Sequence, residues 1–145
     1  MVRKLRDADI NDVAKIWLDT NIKTHNFISE RYWQDNFEIV KEMFLQAEIY
    51  VYEDEMTNKI QGFIGLNDNY IAGIFICSEA QSNGIGKQLL DFVKRMKAEL
   101  SLNVYKKNVR AVKFYQREKF SIHNESIDKN TQEKEYVMIW KREEK

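Results

Sequence analysis

The segment from Tyr70 to Leu100 constrains the fold of this chain more than any other. It opens with a largely apolar, β-branched run from Tyr70 to Cys77, which predicts a strand at the centre of a sheet. From Gly84 to Leu100 apolar residues recur at helical spacing, which predicts an amphipathic helix. Its apolar positions are Ile85, Leu89, Phe92, Val93 and Met96. A buried strand followed by such a helix requires a sheet with helices packed against it.

The rest of the sequence alternates between the same two periodicities. Strand patterns cover residues 2–6, 49–52, 60–66, 102–105, 120–127 and 136–140. Helix patterns cover residues 9–20, 29–45 and 108–118. The predicted order is therefore β-α-α-β-β-β-α-β-α-β-β. A chain of 145 residues is long enough for one core and short for two, so we expect a single α/β (α+β) domain over residues 1–145 with a mixed sheet.

Composition excludes several classes of protein. The chain has one cysteine and no proline, which excludes an intrachain disulfide, a multi-cysteine zinc site and polyproline segments. Its charged start lacks the apolar stretch of a signal peptide, and no window reaches the length of a transmembrane helix. We expect a cytoplasmic protein with no metal and no membrane contact, as a monomer or homodimer. Cys77, at the end of a predicted strand, is expected to be a small core residue.

The net charge of zero hides an uneven distribution. Residues 1–83 carry a net charge of −6, whereas residues 84–119 carry 10 basic and 3 acidic residues, a net charge of +7. Such a block is either a solvated helix face or a site for a polyanion. Basic and aromatic residues also alternate between Tyr105 and Tyr115, as in a nucleic-acid surface. The zero net charge and the periodic burial of these aromatics count against nucleic acid as a partner.

The positive block begins at the glycine loop Gln81-Ser82-Asn83-Gly84-Ile85-Gly86-Lys87. Two glycines before a helix let backbone N–H groups turn toward phosphate oxygens, although they also suit a plain strand-to-helix turn. A P-loop would need glycine at Gln81 and a hydroxyl residue at Gln88, and a dinucleotide fingerprint would need glycine at Leu89. Both of these loop types are excluded, and a phosphate nest of another kind remains.

The sequence resembles the GNAT superfamily of N-acetyltransferases in two motifs. Gln81-x-x-Gly84-x-Gly86 after the strand Ile74-Phe75-Ile76 is similar to the family's acyl-CoA pyrophosphate loop. The segment from Leu102 to Asn108, followed by Ala111, Phe114-Tyr115 and Phe120, is similar to its fifth strand and next helix. The element order also agrees, and the family's sheet is mainly antiparallel. The segment Thr24-His25-Asn26-Phe27-Ile28 with Tyr32-Trp33 further resembles a single-domain bacterial subgroup.

Two positions depart from the family pattern. Ser78 stands where the family usually has proline, and Lys119 stands where it usually has glycine. The first departure is expected to affect the rigidity of the strand end. The second suggests that the helix ends there without the usual left-handed glycine. Neither position lies in the phosphate loop.

The resemblance implies acetyl-CoA as co-substrate, with no metal. Pyrophosphate would meet backbone amides of the loop, pantetheine would pair with the strand, and Tyr115 would protonate the departing CoA thiolate. The implied cofactor-binding residues are Ile74, Phe75, Ile76, Gln81, Ser82, Asn83, Gly84, Ile85, Gly86, Lys87, Asn108 and Tyr115. The amine would attack acetyl-CoA directly in a ternary complex. A non-catalytic acyl-CoA sensor with the same pocket is the alternative.

The acceptor side is less defined by the sequence. Four residues are candidates for an acceptor pocket, although the aromatic ones equally suit the core: His25, Phe27, Tyr32 and Trp33. The general base stays open among His25, Glu79 and Asp68. The resemblance implies a primary amine as acceptor, on a small molecule, a protein lysine or a protein N-terminus.

Overall fold

A computed structural model describes residues 1–81 and 83–143. The strands are β1 Val2–Lys4, β2 Glu48–Glu53, β3 Ile60–Asn67, β4 Tyr70–Ile76, β5 Glu99–Tyr105, β6 Ser121–Ile127 and β7 Lys134–Lys141. The helices are α1 Ile10–Thr24, α2 Glu30–Asp35, α3 Phe37–Phe44, α4 Ile85–Met96 and α5 Val109–Arg117. Two short 3-10 turns cover Asp7–Asp9 and Ser78–Ala80.

The strands form one sheet in the order β1-β2-β3-β4-β5-β7-β6. Strands β4 and β5 are parallel, and the other neighbouring pairs are antiparallel. The predicted fold class, a mixed and mainly antiparallel sheet flanked by helices, is confirmed.

Each face of the sheet carries its own apolar core. Helices α4 and α5 cover one face through a cluster that includes Leu89, Val93 and Val112. Helices α1 to α3 cover the other face through a cluster that includes Val13 and Trp33. The sheet therefore separates two helical layers.

The sheet opens along a seam between β4 and β5. Their described backbone pairs are Tyr70 with Ser101 and Ile71 with Leu102, both near the start of β4. Where Gly65 pairs with Gly73 and Leu66 with Ile71, β4 contains one extra residue, which is a β-bulge. The seam begins at this bulge, and beyond it the edge of β4 that faces β5 is open to a ligand.

Two predicted helices were wrong in their extent. The helix predicted over residues 29–45 is divided at Asn36, whose side chain Nδ2 donates to the Tyr32 carbonyl at 2.7 Å. Such bonds compete with regular helix geometry. The helix predicted up to Leu100 ends at Met96, because Leu100, Leu102 and Val104 alternate as buried strand residues.

The ends of two further helices were also compared with expectation. Helix α1 continues to Thr24, four residues beyond its predicted end, since Asn21 is also on its buried side. Helix α5 ends without the usual glycine, as expected, and Lys119 itself adopts the left-handed conformation with φ 75°.

Candidate active site at the open seam

A cleft of about 900 Å³ lies where β4 and β5 separate. Its walls come from the end of α1, the edge of β4, the glycine loop with the start of α4, and α5. The predicted cofactor-binding residues that line it are Ile74, Phe75, Ile76, Gln81, Gly84, Ile85, Gly86, Lys87, Asn108 and Tyr115. Asn83 is exposed and is not among the lining residues, and Ser82 lies outside the described residues.

The glycine loop presents backbone N–H groups to this cleft. Gly84 precedes α4 in a left-handed conformation with φ 76°, and the first helical bond runs from the Gln88 N–H to the Gly84 carbonyl. The amides of Ile85, Gly86 and Lys87 therefore precede the intrahelical bonds and carry the positive end of the helix dipole. A Cβ on Gly86 would make an ordinary contact of 3.4 Å with the Phe114 ring, so the start of α4 lies against α5.

Side chains add positive charge to the same cleft. Among the described lining residues, five are basic and Glu118 is the acidic one. The basic residues are Lys23, Lys87, Lys107, Arg110 and Arg117. Gln81 joins two walls, since its Nε2 donates to the Ile76 carbonyl at 3.2 Å and its Oε1 accepts from Arg110 at 3.4 Å. The cleft suits a polyanion.

Tyr115 lines the cleft from α5. It is buried, and its ring meets Phe114 and Phe120 edge-on at 5.3 and 5.6 Å between centroids. Burial raises the pKa of the Tyr115 phenol well above its usual range. The phenol is therefore protonated at neutral pH and can act as a proton donor.

His25 crosses the seam from α1 to α5. Its Nδ1 lies 2.8 Å from Asn21 Oδ1, and its Nε2 lies 3.2 Å from Asn108 Nδ2. Burial lowers the pKa of His25 to about 4, so the ring is neutral at pH 7. A weakly basic ring with both nitrogens engaged is poorly suited to deprotonate an amine.

The other predicted acceptor residues pack beside this histidine rather than along the cleft. The Phe27 ring lies 5.7 Å from that of His25, and Tyr32 meets Trp33 at 4.9 Å. Trp33 is buried in the core under α1 to α3, and its Nε1 has no hydrogen-bond partner in the part of the chain that the structure describes. Of the four residues predicted for the acceptor pocket, His25 alone is among the described residues that line the cleft.

The remaining candidates for a base do not line the cleft, although Ser78 and Ala80 on either side of Glu79 do. Glu79 and Asp68 are exposed, and neither is among its described lining residues. Cys77 is half-buried between the two cores, and burial raises the pKa of its thiol. This thiol is therefore a packing group rather than an ionised nucleophile.

A polar cluster that the sequence did not indicate lies on the face of the sheet that carries α1. The Tyr105 hydroxyl donates to Asp128 at 2.7 Å, and Asn103 Nδ2 donates to Glu135 at 3.4 Å. Burial and the charge of Asp128 raise the pKa of Glu135. Neither carboxylate forms a salt bridge with another described residue. The pair is a negative region beside the ring of Tyr105, which itself lies 5.0 Å from His25.

Asn21 is a second site residue that sequence reasoning missed. It is 3% exposed, and its Nδ2 donates to the Trp17 carbonyl at 2.9 Å. The signal was present, because a polar residue four positions after Trp17 falls on the buried side of an amphipathic helix.

Neither a metal centre nor a membrane span occurs among the described residues. Across residues 1–81 and 83–143, no group of three or more histidine, cysteine, aspartate or glutamate side chains is placed to hold a metal ion. In the same ranges, no helix is long and apolar enough to span a bilayer.

The structure defines a class of protein with one mixed sheet and a basic cleft at an open strand edge, and sequence comparison gives the family. Residues 46–122 match the acetyltransferase (GNAT) domain. The chain therefore belongs to the GNAT family of acetyltransferases. The predicted family and the predicted enzyme class, an acetyl-CoA-dependent acyltransferase, are confirmed.

Individual relatives resemble the chain over nearly its full length. It is 30% identical over 142 residues to the peptidyl-lysine N-acetyltransferase YiaC of Escherichia coli, covering 97% of this chain and 96% of the relative. The solution structure of apo-form YjaB from Escherichia coli superposes with a TM-score of 0.85 at 24% identity, covering 96% of this chain and 95% of that one. The structure of yncA from Salmonella typhimurium with its cofactor acetyl-CoA has a TM-score of 0.70 at 14% identity, covering 100% and 95% of the two chains. At these identities the two structures show a shared fold.

Proposed function

We propose that the chain, acting as one domain over residues 1–145, transfers the acetyl group of acetyl-CoA to a lysine side chain by direct attack in a ternary complex. The observation that carries this proposal is the coincidence of three features in one cleft. These are the open edge of β4, the N–H groups before α4, and the protonated phenol of Tyr115.

The first two features suit the donor. Pyrophosphate of acetyl-CoA would accept hydrogen bonds from the amides of residues 84–87, with Arg110 and Lys87 supplying positive charge. The pantetheine amides would pair with the open edge at Ile74 to Ile76, as an added strand pairs with a sheet. An N–H near Ile76 would stabilise the oxyanion that forms on the thioester.

Tyr115 supplies the proton that the leaving group needs. The neutral amine nitrogen bonds to the acetyl carbon, and the bond from that carbon to sulfur breaks. The sulfur keeps the electron pair and takes the phenolic proton. The nitrogen loses a proton to water as the amide forms, and the phenolate of Tyr115 regains a proton from water. The phenol carries that proton at neutral pH, because a tyrosine is protonated there even at its ordinary pKa.

Two observations favour a lysine acceptor. The curated relative YiaC is named a peptidyl-lysine N-acetyltransferase. The carboxylates of Asp128 and Glu135, which lack a described salt bridge, provide negative charge on the face opposite α4 and α5. A cationic lysine chain is attracted by such a region before its nitrogen is deprotonated.

Release of free CoA thiol, followed with acetyl-CoA and lysine-containing peptides, tests the proposal. We expect the wild type to turn over, and Tyr115→Phe to lose about 100-fold in kcat while its Kd for CoA changes by less than about two-fold. Tyr52→Phe, a matched loss of one hydroxyl in β2, should leave kcat unchanged. CoA binding without turnover of any peptide or small amine would instead indicate the non-catalytic sensor.

A further inference from the structure

A continuous chain of hydrogen bonds joins α1 to α5. Asn21 Nδ2 donates to the Trp17 carbonyl, and Asn21 Oδ1 lies 2.8 Å from His25 Nδ1. His25 Nε2 lies 3.2 Å from Asn108 Nδ2, and Asn108 Oδ1 accepts from the Ala111 N–H at 3.3 Å. The chain ends in the N-terminal cap of α5, the helix that carries Tyr115.

The outer bonds fix the tautomer of the central ring. Because Asn21 uses its Nδ2 on the Trp17 carbonyl, its oxygen faces His25, which must donate from Nδ1. Because Asn108 uses its oxygen on Ala111, its Nδ2 faces His25, which must accept at Nε2. Only the neutral ring with the proton on Nδ1 satisfies both neighbours, and a second proton at Nε2 would face a donor.

The bond between His25 and Asn108 passes through the open seam. Helix α1 lies on one face of the sheet and α5 on the other, so side chains from these helices meet only where β4 and β5 have separated. Both helices line the same cleft. The imidazole is held between aromatic rings, with Phe27, Trp33 and Tyr105 at 5.7, 5.7 and 5.0 Å between centroids.

We propose that His25 is a positioning residue that joins the two walls of the cleft and holds the amide of Asn108 ready for the acyl donor. This inference rests on the proposed function only for the identity of the donor. Asn108 and the first turn of α5 then enter the complex already ordered, so donor binding does not carry the entropic cost of ordering them. His25 takes no part in proton transfer.

Nitrogen NMR of the two histidines tests the geometry without any substrate. Two-bond proton–nitrogen spectra distinguish the ring tautomers, and His123→Gln removes the signals of the one other histidine, which lies exposed on β6. We expect His25 to be neutral at pH 7 with its proton on Nδ1. In Asn108→Asp a carboxylate faces Nε2, and the pKa of His25 should rise by about two units. A proton on Nε2, or an unchanged pKa in that variant, overturns the inference.

Three variants separate positioning from packing. His25→Phe keeps the aromatic contacts and removes both bonds, whereas His25→Gln places an amide oxygen where Nε2 accepts. Ile16→Val is the matched stability control, because it removes one methyl group from the same core without touching Asn108. We expect His25→Phe to raise the KM for acetyl-CoA about five-fold with kcat within about two-fold, the loss expected for one hydrogen bond. His25→Gln should recover part of this loss, and Ile16→Val should behave as wild type.

The outcomes also separate this inference from the proposed function. A wild type that binds no CoA contradicts the proposed function, while the NMR spectra still decide whether His25 bridges the seam. Unchanged KM in folded His25→Phe, an equal rise in Ile16→Val, or no recovery in His25→Gln overturns the positioning role. Where His25→Phe does not fold, the wild-type tautomer and the Asn108→Asp titration decide whether the inference holds.

Discussion

Lys119 ends α5 in a backbone conformation that lysine rarely adopts. Its φ of 75° allows the Phe120 N–H to reach the Tyr115 carbonyl at 3.0 Å and its own N–H to reach that of Gln116 at 3.1 Å. This pair of bonds is a Schellman motif, in which glycine avoids the strain of a left-handed Cβ. The motif also turns Phe120 into the core, where it is 3% exposed.

Lys119→Gly should stabilise the protein. Relief of the left-handed strain outweighs the added freedom of glycine in the unfolded chain, so we expect a gain of about 1 kcal/mol and a rise in Tm of roughly 3 °C. Urea and thermal unfolding measure both quantities. Lys119→Ala is the control, because it removes the charge but keeps the Cβ. Equal gains in the two variants would assign the effect to charge instead.

His25 should make the stability of the fold fall in mild acid. The pKa of His25 is about 4 in the folded state against 6.5 for the free side chain. Between these values the unfolded chain binds more protons, so the free energy of unfolding decreases as the pH falls from about 6.5 toward 4. Compared with His25→Phe, the wild type should lose about 1.5 kcal/mol more between pH 7 and pH 5 in urea unfolding. If the free energy of unfolding depended on pH in the same way in the wild type and in His25→Phe, the buried and neutral state of the His25 ring would be contradicted.

At the scale of elements, the strand-to-helix turn before α4 depends on Gly84. A Cβ there meets no described atom within 4 Å, so the cost of Gly84→Ala comes from its φ of 76° alone. We expect a loss of about 1 kcal/mol in stability, because alanine favours a right-handed turn. Since that turn would re-aim the loop amides, Kd for CoA should weaken roughly five-fold in calorimetry.

Gly65→Ala is the matched control for this loop. Gly65 lies within β3 with no positive φ, and its Cβ would make an ordinary contact of 3.9 Å with Ile49. Its CoA affinity should equal that of the wild type. An equal loss of affinity in both variants would mean that stability, rather than the loop, determines binding.

Element types were predictable where one periodicity dominated. Strand β4 and helix α4 follow from an unbroken apolar run and a stripe of three- and four-residue spacing. The boundary at Met96 was not predictable, because Leu100 fits the helical stripe and also begins the alternation of β5. The break at Asn36 depends on one side-chain bond to the backbone, which leaves no pattern in the sequence.

The candidate site was predictable only where it follows motifs along the chain. The glycine loop and the start of α5 line one cleft as expected from their residues. The contact between His25 and Asn108 joins positions 83 residues apart, and nothing in the local sequence of either residue specifies the other. The same holds for Asp128 and Glu135, which meet Tyr105 and Asn103 through strand pairing and the turn before β7.

For the whole molecule, the distribution of charge has more consequence than its sum. The net charge is zero, yet five basic residues and Glu118 line the cleft among the described residues. The carboxylates of Asp128 and Glu135, which form no salt bridge with another described residue, contact Tyr105 and Asn103 on the face of the sheet opposite α4 and α5. An anionic donor and a cationic acceptor would thus approach the seam through regions of opposite potential.

Arg110→Gln and Lys59→Gln test whether CoA binding depends on charge in the cleft or on the net charge of the protein. Both variants change the net charge by −1, but at different places. Arg110 lines the cleft beside Gln81, whereas Lys59 is exposed in the turn before β3. We expect Arg110→Gln to weaken CoA binding about five-fold at low salt and to flatten its dependence on ionic strength, since a screened contact has been removed. Lys59→Gln should match the wild type at every salt concentration from about 50 mM to about 500 mM, a range over which exposed charges become screened. Equal losses of CoA affinity in the two variants would show that binding depends on the net charge of the protein. That result would contradict a specific polyanion site in the cleft.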